Sequence, residues 1–459
     1  MITCRTMKKA KVTTRFVCQE CGYDTPEWLG KCPECGTWNS LKEFRTENRE
    51  RRTENSGVIL NNAKPQTLRE IVSTERSRIQ TEYEELNTVL GGGLVAGSAT
   101  IIAGDPGVGK STLLLQLALS LAENSKKVLY VSGEESVEQI KMRAERIMSE
   151  RRTENGELRT DVQDNLLLIS MTDTDAIVAQ IEDVKPDLVI IDSIQTIESQ
   201  NVSGLSGSVG QVRYGALQFV RTAKQQNVPV IIVGHVTKDG MVAGPMVLSH
   251  MVDTVLFLEG EKFAKTRILR SLKNRFGPVD EVGIFLMEEE GMIEAKNPEQ
   301  LFITNDKLDV PGSVLVATLE GSRAFLVELQ ALTVSTRLPM PRRVVSGVDS
   351  RRVELLLAVL QKHCRLPLDT VDVFVNVAGG LRLSDPAIDL GICLAVYSSL
   401  TNHPLQKTVG IGEVGLLGEL RMVAGIEKRT REAEKLGFKQ IITAKKYKSL
   451  TDVIKSISK

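Results

Sequence analysis

The stretch GDPGVGKST, from Gly104 to Thr112, constrains the fold of this chain more than any other segment. It fits the phosphate-binding pattern G-x-x-x-x-G-K-[ST]. The apolar run SATIIA before it predicts a buried strand, and LLLQLALSLA after it predicts a helix. Backbone N–H groups of such a loop converge on phosphate at the positive end of the helix. The segment therefore predicts a site for a nucleoside triphosphate such as ATP.

The side chains of this loop have separate expected roles. Lys110 would supply charge to the β- and γ-phosphates, and the Ser111 hydroxyl would complete the shell of a Mg²⁺ ion, with Thr112 as a lesser neighbour. The alternative, a glycine-rich turn without a ligand, does not account for the strand–loop–helix context. The predicted nucleotide-binding residues are Gly104, Asp105, Pro106, Gly107, Val108, Gly109, Lys110, Ser111 and Thr112.

Composition sets limits on the class of protein. The chain has 459 residues, of which 42% are hydrophobic and 25% charged, as is usual for globular domains. The 58 lysines and arginines balance 58 aspartates and glutamates, so net charge argues neither for nor against a polyanionic partner. No run approaches the roughly 18 apolar residues that span a bilayer, and the N-terminus lacks a secretory apolar core. We expect a cytoplasmic protein.

Four of the seven cysteines form one compact cluster. Two C-x-x-C-G knuckles stand ten residues apart, and each aims two thiolates at one point, which makes the tetrahedral sulfur site that Zn²⁺ prefers. A redox dithiol is the alternative, but paired knuckles outside a βαβ unit do not favour it. The predicted zinc ligands are Cys18, Cys21, Cys32 and Cys35.

The chain divides by composition into a ribbon, a linker and two larger domains. Residues 1–40 carry the zinc ribbon, and residues 41–66 form a polar, charge-rich linker without periodicity. Residues 67–296 alternate apolar strands with helical stretches, which predicts a mostly parallel sheet covered on both faces. The predicted strands are ATIIAG, KVLYVSG, NLLLIS, DLVIIDS, VPVIIVGH and DTVLFLEG.

Polar residues stand where three of these strands end, and ligands collect at the carboxyl ends of such strands. Asp192 fits the acid that orients Mg²⁺ through water, and Glu134 fits the carboxylate that polarises the attacking water. Either acid is alternatively a helix cap, and Glu135 competes with Glu134 for the catalytic role. His235 is either a sensor of the γ-phosphate or a core histidine.

An ordered set of motifs gives the chain a specific resemblance. The C4 ribbon, ELNTVLGGGLVAGS, GDPGVGKST, VSGEES, LVIIDSIQT, GHVTKDG and LKNRFGP together resemble the bacterial RadA (Sms) DNA-repair family. The resemblance spans nearly the whole chain, and KNRFG, at Lys273 to Gly277, is that family's distinguishing motif. It implies an α/β fold with a RecA-like P-loop core, an N-terminal zinc ribbon and a C-terminal domain similar to that of Lon proteases.

The resemblance extends to RecA and the hexameric DnaB-type helicases, in which ATP lies between neighbouring subunits. A basic pair of the same spacing reaches across that interface in RecA, which implies that Lys273 and Arg275 act on a neighbour's γ-phosphate here. A basic solvated turn is the alternative, because Gly277 and Pro278 end the segment.

Two segments are candidates for contact with DNA. Ser199 to Arg213 is rich in serine and glycine and follows the Asp192 strand, where RecA-like proteins place a DNA-contacting loop. The second is TKDGMVAGP after His235, with Lys238 as its charge. Both lack aromatic residues, so we expect sequence-independent contact with the DNA backbone.

Residues 297–459 predict a separate α/β domain, with a hairpin of SVLVATLEG and RAFLVELQALTV. Its DPAIDLGICLAV and the later GEVGLLGEL segment resemble the Lon catalytic domain, which needs a serine and a lysine. Asp389 stands at the serine position and Glu427 at the lysine position, while Ser384 and Lys428 are out of register. We therefore expect a non-proteolytic scaffold for ring assembly and DNA binding.

A helix is predicted from Arg342 to Leu360. It begins with a group of basic residues that forms either a phosphate-tracking patch or a solvated face or subunit contact. These residues are Arg342, Arg343, Arg351 and Arg352.

The resemblance implies a DNA-dependent ATPase of recombinational repair. Such a protein would form a homo-hexameric ring, translocate on single-stranded DNA and promote branch migration of recombination intermediates beside a RecA-type recombinase. The alternatives are an ATP-dependent Lon-like peptidase and a signalling ATPase resembling KaiC.

Overall fold

The structure is a computed structural model that describes residues 13–18, 24–34, 36–46, 78–148, 160–235, 248–260, 265–279, 281–296, 302–303, 310–337 and 340–458. Its strands are β1 (Thr13–Cys18), β2 (Asp24–Thr25), β3 (Leu41–Thr46), β4 (Ala99–Gly104), β5 (Val128–Ser132), β6 (Leu166–Ser170), β7 (Leu188–Asp192), β8 (Val230–His235), β9 (Thr254–Glu259), β10 (Thr266–Asn274), β11 (Val282–Glu288), β12 (Gly291–Glu294), β13 (Ser313–Glu320), β14 (Arg323–Ser335), β15 (Arg343–Ser346), β16 (Val371–Val377), β17 (Thr408–Ile411), β18 (Glu413–Val414), β19 (Leu420–Arg421) and β20 (Gln440–Thr443).

The helices of the described residues follow in the same chain order. They are α1 (Glu84–Leu90), α2 (Lys110–Glu123), α3 (Val137–Ile147), α4 (Thr160–Asn165), α5 (Thr174–Val184), α6 (Val209–Gln226), α7 (Ser350–Cys364), α8 (Asp389–Thr401), α9 (Ile426–Lys435) and α10 (Leu450–Ile457), with 3-10 helices at Ile194–Thr196, Ala378–Gly380 and Pro386–Ile388. The chain splits into two compact units, Met1–Glu82 with Gly92–Val255, and Tyr83–Gly91 with Leu256–Lys459.

The N-terminal ribbon is a three-stranded antiparallel sheet in the order β2-β1-β3. Strand β3 pairs along all of β1, from Cys18 opposite Leu41 to Thr13 opposite Thr46. The predicted ribbon boundary at residue 40 is therefore wrong, because the polar segment that follows it completes the sheet. Residues 47–66 of the predicted linker lie outside the described residues.

The first unit contains parallel strands in the order β4-β8-β7-β5-β6. Consecutive residues of β4, β5 and β7 are all buried, which confirms that both faces of this sheet are covered. The ladders set Gly104 opposite His235 and Ser132 opposite Asp192. The predicted strands therefore end side by side.

The second unit contains the β10, β11 and β12 antiparallel meander and a six-stranded sheet in the order β15-β16-β14-β13-β17-β20. The predicted hairpin is present as β13 and β14. Helix α1 joins this unit, since Glu85 accepts from Arg323 at 2.7 Å and from the N–H of Ile284 at 2.9 Å. Apart from the segment with α1, the second unit begins at Leu256, ahead of the predicted domain boundary at 296/297, because the meander packs into the same core.

The helix predicted from Arg342 to Leu360 is a strand followed by a shorter helix. Strand β15 runs parallel to β16, and α7 begins at Ser350, where the Asp349 side chain caps it by accepting from Arg351 N. Gly347 separates the two with a φ of 81°, and a Cβ atom there would lie 2.6 Å from the carbonyl oxygen of Leu381. This turn breaks any helix that starts at Arg342.

Candidate functional site

The phosphate-binding loop connects β4 to α2 through glycines with positive φ. Gly104 ends the strand, and α2 begins at Lys110 with Gly109 as its N-cap. The φ angle is 77° at Gly107 and 111° at Gly109. A Cβ atom on Gly107 would meet nothing within 4 Å, so its backbone conformation alone favours glycine. The loop therefore has the strand-to-helix geometry that directs backbone N–H groups at an anion.

Lys110 is the buried cation of this loop. Only 3% of the residue is exposed, and its Nζ donates to the carbonyl oxygens of Gly104 at 2.8 Å and Asp105 at 3.0 Å. Burial lowers the pKa of Lys110, while the charges of Asp192, Asp105 and Glu134 oppose that shift. When a nucleotide binds, a charged phosphate oxygen would replace these neutral carbonyl oxygens as the hydrogen-bond acceptor of the Lys110 ammonium.

Asp192 lies at the end of β7, next to the end of β5. It is buried, and its Oδ2 accepts a hydrogen bond from the Tyr130 hydroxyl at 2.6 Å. Burial, followed by the charge of Asp192, raises the pKa of Tyr130, which keeps the phenol protonated as a donor. Ser111 and Thr112 lie half-buried in the first turn of α2. The strand-end acid and the helix hydroxyl both belong to the first unit.

Glu134 is held by two neighbours. Ser193, a fully buried residue, donates from its hydroxyl to Oε1 of Glu134 at 2.5 Å. The Nε2 atom of His235 lies 3.6 Å from the same oxygen. Burial and the charge of Lys110 lower the pKa of His235, so its imidazole is neutral near pH 7. Glu134 remains about half exposed, which leaves it accessible to water.

Glu135 has a different partner. Both of its carboxylate oxygens lie 2.9 Å from guanidinium nitrogens of Arg143 on α3. This ion pair includes one hydrogen bond, from Nη1 of Arg143 to Oε1 of Glu135, and it engages the Glu135 carboxylate with a cation on α3. The geometry therefore favours Glu134 over Glu135 as the carboxylate that meets water.

Sequence reasoning missed three residues that shape this site. Ser193 orients Glu134, Tyr130 orients Asp192, and Gly133 leaves room for Thr196, whose Oγ1 would lie 2.1 Å from a Cβ atom on that glycine. A hydroxyl inside an otherwise apolar strand was the available indication for Tyr130. Ser193 was indicated only by its place beside Asp192.

The predicted DNA-contacting loop, Ser199 to Arg213, is shorter in the structure, because α6 already includes Arg213. The buried side chain of Gln211 on α6 holds the remaining segment, residues 199–208, by hydrogen bonds. Its Oε1 accepts from Ser199 N at 2.8 Å, and its Nε2 donates to three carbonyl groups of the same segment. The second predicted loop, with Lys238, lies outside the described residues.

The KNRFG segment ends strand β10 in the second unit, and a buried asparagine anchors its turn. Asn274 is buried, and its Nδ2 donates to the carbonyl of Val89 at 3.4 Å. Its Oδ1 accepts from the N–H of Phe276 at 2.9 Å. One amide side chain thus closes the turn and ties it to helix α1.

Gly277 completes this packing by backbone contact. A Cβ atom on Gly277 would lie 2.8 Å from Cα of Gly91, and the reverse distance is the same. Lys273 is half-buried at the end of the strand, and Arg275 is exposed in the turn. The two basic residues of the motif therefore flank the buried Asn274.

Two of the predicted zinc ligands are among the described residues. Cys18 and Cys32 are both buried, and Sγ of Cys18 lies 3.2 Å from Oγ of Ser40. Buried thiols with a hydroxyl beside them suit a closed thiolate site with hydrogen-bonded sulfur. Cys21 and Cys35 lie outside the described residues.

In the second unit, Asp389 is buried at the start of α8. Its carboxylate accepts from the Nε and Nη2 atoms of Arg352 and from Val414 N at 3.2 Å. Burial raises the pKa of Asp389, and the Arg352 hydrogen bonds oppose that shift. Glu427 is instead exposed and pairs with Lys445 at 2.7 Å. The two residues predicted at the Lon catalytic positions thus have separate partners.

A second ion pair lies deeper in the same unit. Arg429 is only 3% exposed and donates to Asp385 at 2.5 Å and to the carbonyl of Ala317 at 2.6 Å. Asp385 also accepts from Leu319 N at 3.1 Å. This pair joins helix α9 to strand β13.

The predicted arginine patch is only partly available for phosphate. Arg352 holds Asp389, and Arg343 donates to the carbonyls of Val371 and Leu368. The arginines at 342 and 351 are exposed. Two members of the predicted patch, Arg343 and Arg352, therefore hold structural partners that are distant in the sequence, and the phosphate contact stays a prediction.

The fold and the site define an ATPase of the P-loop class with a zinc ribbon ahead of it. Family models match residues 64–241 as an AAA domain, 16–43 as a rubredoxin metal binding domain and 342–447 as subunit ChlI of Mg-chelatase. These matches support binding of a nucleotide and of zinc, and they confirm the predicted fold class. No helix among the described residues has the length and apolar character for crossing a bilayer.

Full-length relatives give the family. The chain is 48% identical over 439 residues to the DNA repair protein RadA of Halalkalibacterium halodurans, covering 94% of this chain and 93% of the relative. Identity to RadA of Listeria monocytogenes is 46% (96% and 93% covered), and to RadA of Bacillus subtilis 45% (94% and 93%). The chain belongs to the RadA family of DNA repair proteins. A crystal structure of the RadB recombinase matches with a TM-score of 0.38 and 22% identity, over 47% of this chain and 99% of that one.

The buried ion pair of Asp385 and Arg429 in the second unit leads to a stability prediction. Asp385→Ala leaves the Arg429 guanidinium buried without its carboxylate, and breaking such a pair costs about 3–5 kcal/mol. We expect a clearly lower melting temperature by calorimetry. Glu427→Ala, which removes an exposed pair, is the control and should melt close to wild type. Equal melting temperatures for both variants would contradict the structural role of the Asp385 pair.

Proposed function

We propose that this protein is a DNA-dependent ATPase that moves on single-stranded DNA and promotes branch migration of recombination intermediates. We further propose that it works as a homo-hexameric ring beside a RecA-type recombinase. The observation that carries the proposal is the hydrogen bond from Ser193 to Glu134. Ser193 begins the turn after β7, and this turn leads into residues 199–208, the part of the candidate DNA loop that precedes α6. The hydrogen bond and this short stretch of backbone therefore connect the Glu134 carboxylate to the candidate DNA loop.

The chain's own residues divide the hydrolytic work. The loop amides and Lys110 bind the β- and γ-phosphates, and Glu134 accepts the proton of the attacking water. Ser111 and Asp192 would hold Mg²⁺, which supplies positive charge to the phosphate oxygens. The neutral His235 beside Glu134 is placed either to contact the γ-phosphate or to fill the core.

Segment 199–208 supports coupling because it is rigid at its base and contacts the turn after β7. The Ser206 hydroxyl donates to the carbonyl of Gln195 at 3.0 Å, and Gln195 Nε2 donates weakly to the carbonyl of His235 at 3.4 Å. A shift of Ser193 on hydrolysis would therefore reach the segment through Gln195. The path is short and consists of packed groups.

Lys273 and Arg275 complete the proposed site from a neighbouring protomer. Stabilisation of charge on a transferring phosphoryl group by a basic residue in trans is an established catalytic device. The buried Asn274 and the contact of Gly277 with Gly91 fix the turn that presents the pair. A fixed turn lowers the entropy cost of positioning two long side chains.

The first test is hydrolysis of ATP with and without single-stranded DNA, followed by extension of a branched DNA substrate. Wild-type protein should hydrolyse ATP faster with DNA and extend the branch only with hydrolysable nucleotide. A Lon-like peptidase or a KaiC-like signalling ATPase has no reason to respond to DNA. Rates that ignore DNA, measured with protein of known oligomeric state, would overturn the proposal.

Replacing the two adjacent glutamates tests which one activates water. Glu134→Gln should lower the rate of ATP hydrolysis about 10²- to 10⁴-fold, because it removes the proton acceptor. Glu135→Gln is the matched control and should retain most of the rate, since it loses only the pair with Arg143. Binding of a fluorescent ATP analogue should be retained in both. The opposite order of rates would exchange the two roles.

Alanine at Lys273 or Arg275 tests the contribution in trans. Each variant should lose at least about 100-fold in DNA-stimulated hydrolysis, as removal of a basic finger does, with little change in nucleotide affinity. Lys435→Ala, an exposed basic residue paired with Glu432, serves as the control. Mixing each variant with Lys110→Ala protein should restore some hydrolysis, because an intact loop and an intact basic pair then meet in some interfaces. Absence of recovery in rings that do mix would argue against action in trans.

A further inference from the structure

Both tryptophans of the chain lie on the zinc ribbon, and both are exposed. The sequence contains two tryptophans, Trp28 and Trp38, whose exposed fractions are 55% and 70%. Leu29 beside them is also exposed. Large aromatic side chains kept at the surface of so small a module mark a surface used for binding.

The second cysteine knuckle holds the two indoles together. Lys31 and Trp38 form an antiparallel bridge, and within it Cys32 N donates to Thr37 O at 3.0 Å. A Cβ atom on Gly30 would lie 3.7 Å from Cη2 of Trp28 and 3.9 Å from Cζ3 of Trp38. The six-membered rings of both indoles therefore flank the same glycine.

Positive charge accompanies the aromatic pair. The Lys31 ammonium lies 5.6 Å from the centroid of the Trp38 ring. In the sequence, residues 1–12 add four further lysines and arginines and no acid ahead of the ribbon, whereas residues 13–46 contain four basic and five acidic residues. A lysine beside exposed indole rings, in a module that follows a basic stretch of sequence, suits a polyanion that carries aromatic bases.

We propose that the zinc ribbon binds single-stranded DNA by stacking bases on Trp28 and Trp38, with Lys31 beside a phosphate. This proposal rests on the proposed function and adds a DNA contact outside both predicted loops. Indole faces stack on any base, so the contact is independent of sequence, and it needs unpaired bases because duplex DNA keeps its base faces covered. The knuckle that carries the zinc ligand Cys32 also carries Lys31 and Trp38, so metal binding fixes the stacking surface.

Tryptophan fluorescence of the full chain reads this surface directly, because no other tryptophan contributes. Titration with oligo(dT) should quench the emission in a saturable way, and the single variants Trp28→Phe and Trp38→Phe should each retain part of the quenching. Heparin, a polyanion without bases, and duplex DNA of equal length should quench little. An equal response to heparin would mean that charge alone binds, and would overturn stacking.

Affinity measurements supply the second arm. Trp28→Ala and Trp38→Ala should each weaken binding of oligo(dT) to the full chain about 5- to 150-fold at fixed salt, the range that one stacked base represents. Leu29→Ala is the neighbouring control and should bind as wild type. Zinc content equal to wild type shows that a variant ribbon has folded. The wild-type fluorescence decides the question if an alanine variant fails that check.

The outcomes separate this proposal from the one it rests on. If DNA stimulates ATP hydrolysis but leaves the fluorescence and the tryptophan variants unaffected, only the ribbon proposal fails. A fluorescence change with a RecA-type recombinase and none with oligo(dT) would assign the surface to protein and overturn the proposal. If DNA fails to stimulate hydrolysis at all, the proposed function fails even where the ribbon still binds DNA.

Discussion

The register of the parallel strands in the first unit is the constraint on which the nucleotide site depends. Hydrogen bonding of β5 to β7 sets Ser132 opposite Asp192, and that of β4 to β8 sets Gly104 opposite His235. The polar residues at the ends of these strands therefore lie at one edge of the sheet, where Glu134 contacts both Ser193 and His235. A slip of one residue would turn each of these side chains to the opposite face.

The sequence was sufficient for the parts of the site that follow from apolar runs and from backbone geometry. The strands, the glycine loop and the acid Asp192 were all predicted, because the end of a buried strand is visible in the sequence as the change from apolar to polar residues. The choice between Glu134 and Glu135 was not open to the same reasoning. It depends on Arg143, which lies on helix α3 and pairs with Glu135 but not with Glu134 among the contacts of the described residues.

Charge clustering was the least reliable guide. Arg343 and Arg352 stand in a basic cluster in the sequence, yet each is drawn to acceptors from distant segments. Burying Asp389 and Arg352 costs solvation, which their mutual hydrogen bonds offset. A sequence shows where charges are, but the partner of each charge is decided by which strand and helix meet in space. The same limitation placed the ribbon boundary too early, since β3 is polar and gains its stability from pairing with β1.

The contact between Gly91 and Gly277 joins two motifs that are far apart in the sequence. Their backbones meet with no side chain between them, so helix α1 and the turn that carries Arg275 share one steric limit. A larger residue at either glycine would push the two segments apart. A second substitution at the other position could not restore the contact, because glycine is already the smallest residue. The position of the turn that carries Arg275 against helix α1 is therefore set by atomic contact, and it survives changes of salt or pH that would weaken a charged tether.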